Sequence, residues 1–193
     1  MTNERARHTA PAREAESLRP VLDLLVGDMS PRPVDPATLP WDRPVFVLRS
    51  ANMERMRAFL HEVLARTPTP DLHIMSHARD EETLRALSPC PFTFYPYPTP
   101  GRYRSQDVPP AVLDRLRAVD FGIVGCLDTG LSADLLDAVD GVLAAIRPGG
   151  GISFGPAGAC LRLPERQARK RAEAAFFPLI EWYHGTLSSE EAV

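Results

Sequence analysis

The turn Arg49-Ser50-Ala51-Asn52 contains no glycine, although it joins an apolar strand pattern to a helical one. A dinucleotide fingerprint needs glycines at that point so that backbone can approach a pyrophosphate, and neither that pattern nor a P-loop occurs in the chain. Lysine is nearly missing too, with Lys170 the only one among 22 basic residues. The net charge of −3 gives no general pull toward nucleic acid or anionic membrane, and no nucleic-acid partner is expected. Cysteine is sparse: Cys90, Cys126 and Cys160 lie far apart without a CxxC, which fits reduced thiols in a cytoplasmic setting. The polar amino terminus has no signal-peptide pattern, and no apolar run reaches membrane-spanning length. There is no GxSxG elbow for a serine nucleophile and no HExxH metal motif.

What is present fits a folded domain with an extension. The 193 residues are 44% hydrophobic and 24% charged, enough to bury a sizeable core. Residues 1–43 form the extension. A polar tail leads to a short helix around Arg13 to Val26, with Leu18, Val21, Leu22 and Leu25 on one side. The stretch SPRPVDPATLPWDRP follows, in which proline precludes regular structure, and it reads as an extended strap anchored by Trp41.

Residues 44–193 alternate between strand and helix patterns. PVFVLR is a continuous apolar run of the kind buried on both faces of a parallel sheet. NMERMRAFLHEVLAR then places Met53, Met56, Phe59, Leu60, Val63 and Leu64 at helical spacing. DLHIMSH, FTFYPY and FGIVGCL are the next three strands. RDEETLRALS, PPAVLDRLRAVD and SADLLDAVDGVLAAI are helices, the second opening on two prolines where a missing N–H costs little. After the RPGGG turn, GISFGP and ACLRL supply one or two late strands, and residues 165–184 a closing helix. The expected fold is a three-layer, Rossmann-like α/β domain: a mostly parallel sheet with helices on both faces, preceded by the helix and the proline strap.

Ligands of such sheets sit at the carboxyl ends of the strands. The loops there run from Arg49 to Asn52, Ser76 to Asp80, Tyr95 to Asp107 and Asp128 to Ser132. Arg49 could assist an anion at the helix N-terminus, while Ser50 or Asn52 serves as the cap. Asp128, in LDTG, matches an aspartic-protease signature, yet a helix pattern follows it where those proteases are β-rich. It stays a pocket candidate and is the candidate base. His73 and His77 share a strand face about 13 Å apart, too far for one metal ion. His77 is assigned to the pocket, His73 to the structure, and no metal is expected. Tyr95, Tyr97, Tyr103, Arg102 and Arg104 mix aromatic faces with guanidinium groups that could stack on sugars and clamp phosphates.

The closing segment joins Arg166, Arg169, Lys170 and Arg171 to Phe176, Phe177, Trp182 and Tyr183. Such a helix either packs its aromatics on the sheet or touches a membrane surface.

VFVLRSANMERMRAFLHEVLARTPTPDLHIMSH, FTFYPYP and LDRLRAVDFGIVGCLD together resemble the amino-terminal, Rossmann-like half of GT-B glycosyltransferases, the heptosyltransferase type above all. The resemblance spans about residues 44–146 and implies a role in glycan or surface-polysaccharide metabolism. Enzymes of that kind carry a second Rossmann domain for the nucleotide-sugar donor, and the chain after residue 146 is too short to build one. The family's first turn also has an acidic position nearby, whereas Glu54 falls inside the helix pattern. The resemblance therefore implies an acceptor-type half without a donor site. It would bind a glycan or sugar phosphate through Arg49, Asn52, His77, Tyr97, Arg102 and Arg104, with no cofactor of its own, or dock a partner protein that supplies the donor half. VDGVLAAIRPGGG also resembles the helix and turn after the fourth strand of class I methyltransferases, though their glycine-rich first loop is missing.

Overall fold

The structure, a computed structural model, describes residues 30–98, 103–127 and 133–175. Seven strands form one sheet: β1 (Arg32–Pro33), β2 (Val45–Arg49), β3 (Leu72–His77), β4 (Thr93–Tyr97), β5 (Ile123–Leu127), β6 (Ile152–Phe154) and β7 (Cys160–Arg162). Their order is β1-β7-β6-β5-β2-β3-β4. β2 to β6 run parallel, whereas β7 is antiparallel to both β6 and β1. Taken in chain order, the five parallel strands are arranged 3-2-1-4-5, the Rossmann order, and the order reverses between β2 and β5. Both late strands are present, as a hairpin-like pair on one side of the sheet.

The apolar runs become strands covered on both faces. Val45 and Val47 of β2 point into one core with Leu72 and Ile74 of β3, while Phe46 and Leu48 point into the other with Met75. Helix α1 (Met53–Arg66) buries Met56, Phe59, Leu60 and Val63 in the first core, where each side chain contributes roughly 1.5–3 kcal/mol. Leu84 of α2 (Glu81–Leu87) joins the same core. Helix α3 (Pro110–Arg117), which opens on Pro109 and Pro110, and α4 (Ala133–Ile146) cover the opposite face through Val112, Leu116, Val142 and Leu143. Three layers result.

The strap departs from the expectation of no regular structure. Residues Arg32 and Pro33 form a two-residue edge strand on β7, and Pro36–Thr38 make a 3-10 turn capped by Asp35. Proline is tolerated at Pro33 because only one edge of β1 is paired, so its missing N–H breaks no ladder between two strands. Trp41 is the anchor: it is buried, its indole N–H donates to the Pro36 carbonyl at 2.7 Å, and its ring meets Phe154. Packed contacts divide the chain into one unit of residues 31–166 and another of 1–30 with 167–193. In the second unit a helix runs to residue 175, and Glu173 pairs there with Arg169 and Lys170. The helix expected over residues 13–26 and the aromatic stretch from Phe176 lie outside the described residues.

No described helix is long and apolar enough to cross a membrane. All three cysteines are free, Cys126 and Cys160 being buried and Cys90 half-buried. Burial raises the Cys160 thiol above its ordinary value, so it is kept protonated.

Candidate functional site

The reversal of strand order puts the carboxyl ends of β2 and β5 side by side. There Ser50 donates to the Leu127 carbonyl through both its backbone N–H (3.2 Å) and its hydroxyl (2.8 Å), which ties the first turn to the end of β5. Asn52 caps α1, its side-chain oxygen accepting from the Arg55 N–H at 2.9 Å. A small polar turn thus closes by side-chain hydrogen bonds where a glycine turn would leave its N–H groups open.

Arg49 ends β2, and its guanidinium is committed within the protein. Nε donates to the Ser76 hydroxyl at 2.9 Å, and the two other nitrogens bond the Ala51 carbonyl and the Asp80 carboxylate. Ser76 donates to the same carboxylate at 3.0 Å. The pair is mostly shielded, with side-chain exposures of 11% and 16%, so a lost partner would leave a charge in poor solvent.

Above this pair lies an aromatic stack. The Tyr103 hydroxyl donates to the Arg49 carbonyl at 2.7 Å, and its ring lies parallel to His77 at 4.9 Å and edge-on to Tyr97 at 4.7 Å. Tyr97 is buried, and its hydroxyl receives the Arg104 N–H at 2.6 Å and contacts Asp107 at 3.0 Å. Burial raises the Tyr103 phenol above its ordinary value, with the Arg49 charge opposing. His77 Nδ1 is buried with no hydrogen-bond partner among the described residues. The loop after β4 therefore folds back over the end of β2, and Tyr103 fills the place above it.

These positions set the named residues in two groups. Arg49, His77 and Tyr97 come together with Tyr103 at one end of the sheet, and Arg104 adjoins them through its backbone while its side chain is exposed. Asn52 faces the helix start instead. Asp128 and Arg102 lie outside the described residues. His73 is structural: it bridges the Tyr95 hydroxyl at 3.0 Å and Asp71 at 3.1 Å. No cluster of metal-ligating side chains occurs among the described residues. Sequence reading missed Ser76 and Asp80 as partners of Arg49. A signal existed, since an acid stands in the loop after the strand next to the one that ends in arginine.

The RPGGG turn has a packing cause. Gly150 adopts φ +78°, and a Cβ there would stand 2.6 Å from the Leu163 carbonyl oxygen. That turn precedes β6, at the end of the sheet opposite the Arg49 cluster. Comparison with family models, with curated proteins and with solved structures gives no match.

Proposed function

We propose that this chain is a Rossmann-like binding module of glycan or polysaccharide metabolism, with no site of its own for an activated donor. It takes a glycan or sugar phosphate at the carboxyl edge of the sheet and works with a partner protein that carries the donor-binding half. Arg104 and Arg102 are the groups assigned to the ligand's charge, His77 to its polar rim, and Asp128 to the base of the assembled enzyme.

One observation carries the reading: the Tyr103 hydroxyl sits on the Arg49 carbonyl, at the strand end where a nucleotide phosphate would need open backbone. Arg49 itself is neutralised by Asp80, which leaves it little attraction for a phosphate. The same occupancy argues against a methyl donor in the first turn, and Gly150 accounts for the methyltransferase-like turn by packing alone.

A thermal-shift series with nucleotide sugars, sugar phosphates and S-adenosylmethionine tests it. A ligand at a hundredfold excess over its Kd stabilises the folded state by about 2.7 kcal/mol, a readily measured shift. Stabilisation by a glycan or sugar phosphate, reduced in Arg104→Gln, is the expected result. Stabilisation by a nucleotide sugar or by S-adenosylmethionine would refute the reading.

A further inference from the structure

A cleft of about 460 Å³ opens beyond the amino ends of β2 and β5, the opposite edge from the Arg49–Tyr103 cluster. Its lining includes Arg43, Arg117 and Arg147 against a single carboxylate, Asp120. In a chain of net charge −3 this is a local reversal of sign.

Each arginine is fixed by part of its guanidinium only. Arg147 donates through one nitrogen to the Phe121 and Gly122 carbonyls at 3.1 and 3.3 Å. Arg117 gives Nε to the Ala145 carbonyl at 2.8 Å and reaches Asp114 at 3.6 Å. Arg43 spends one terminal nitrogen on Asp120. The Arg117 bond caps the last turn of α4, since cations favour helix carboxyl ends, and the Arg147 and Arg43 bonds hold the loop before β5. These roles do not account for the rest: Arg147 Nε, Arg43 Nε and a terminal nitrogen of each of the three have no partner among the described residues. Anchored stems with free N–H groups are forks already oriented for an oxyanion, and guanidinium suits phosphate geometry.

We infer that this cleft binds the phosphate group of a small phosphorylated metabolite, its organic part resting on Phe121 and Pro148. The volume lies in the range of small-ligand sites. No residue of the carboxyl edge takes part, so this site is independent of the function proposed above.

Calorimetric titration of the full chain at low salt, with inorganic phosphate and a hexose 1-phosphate as probes, tests it. Arg117 is half-exposed, so Arg117→Gln should fold, and it should weaken both probes roughly tenfold. Arg43→Gln should do the same and serves if circular dichroism shows the first variant unfolded. Arg57→Gln, which removes an exposed charge on α1, should leave affinity unchanged. The inference is overturned if wild type gives no heat with either probe, or if Arg57→Gln weakens binding as much as Arg117→Gln. Loss in Arg104→Gln with none in Arg117→Gln would also overturn it, placing the ligand at the other edge.

Discussion

The Tyr103 hydroxyl donates a 2.7 Å hydrogen bond to the Arg49 carbonyl, so the loop after β4 is pinned to the last residue of β2. The bond joins residues 54 positions apart and covers the carboxyl end of β2, one of the two strands between which the order reverses. Tyr103→Phe keeps the ring stacked on His77 and removes only this bond, leaving a shielded carbonyl without its donor. Urea denaturation should show a loss of about 1–2 kcal/mol. A variant as stable as wild type would mean the contact does not hold the loop.

The same residue sets an alkaline limit. Burial raises the folded-state pKa of Tyr103 above the ordinary tyrosine value of about 10, so the unfolded chain ionises first. Its contribution to stability is therefore complete below about pH 10 and is lost as pH rises through the folded value. Tyr95 is shifted in the same direction and is untouched by Tyr103→Phe, so the difference between variant and wild type isolates Tyr103. Melting temperature followed from about pH 8 to 11 should fall more steeply in wild type than in Tyr103→Phe. Parallel curves would contradict this.

Arg49 and Asp80 should be strongly coupled. Asp80→Asn leaves a shielded guanidinium without its counter-charge and should cost about 2–3 kcal/mol, below the range for fully buried pairs because both side chains keep some solvent. Arg49→Met should cost a comparable amount, and the double variant less than the sum, with a coupling of about 1–3 kcal/mol. Additive losses would show that the two charges act separately.

Local patterns carried most of the fold. The apolar run VFVLR, the spacing of Met56, Phe59, Leu60 and Val63, and the prolines at the start of α3 each encode their element within a few residues. Strand order was recoverable only as a class, because it depends on which strands pair rather than on any one of them. The site was far less legible. Arg49, Tyr97 and His77 could be placed at strand ends, and an acid in the loop after β3 is a weak signal for the partner of Arg49. Nothing nearby in sequence reveals that Tyr103 folds back on that arginine. The two-residue strand at Arg32–Pro33 carries no local signal for the same reason, its partner β7 lying more than a hundred residues away.

Adjacent glycines in the RPGGG turn should behave differently. Gly150 has φ +78° and a carbonyl oxygen 2.6 Å from where a Cβ would stand, whereas nothing lies within 4 Å of a Cβ at Gly149. Gly150→Ala should cost at least about 1–3 kcal/mol, and Gly149→Ala should stay within about 0.5 kcal/mol of wild type. Equal effects would show that the turn, not the approach of Leu163, demands glycine.

The decisive measurement is a calorimetric titration of the purified chain with a nucleotide sugar. Because Tyr103 occupies the end of β2 and Asp80 neutralises Arg49, no saturable binding should appear up to about 1 mM ligand once Arg117→Gln has disabled the arginine cleft, a range where even a weak site is detectable. Micromolar binding to the chain alone, unaffected by changes at Arg117, would contradict the view that this sheet has no donor site.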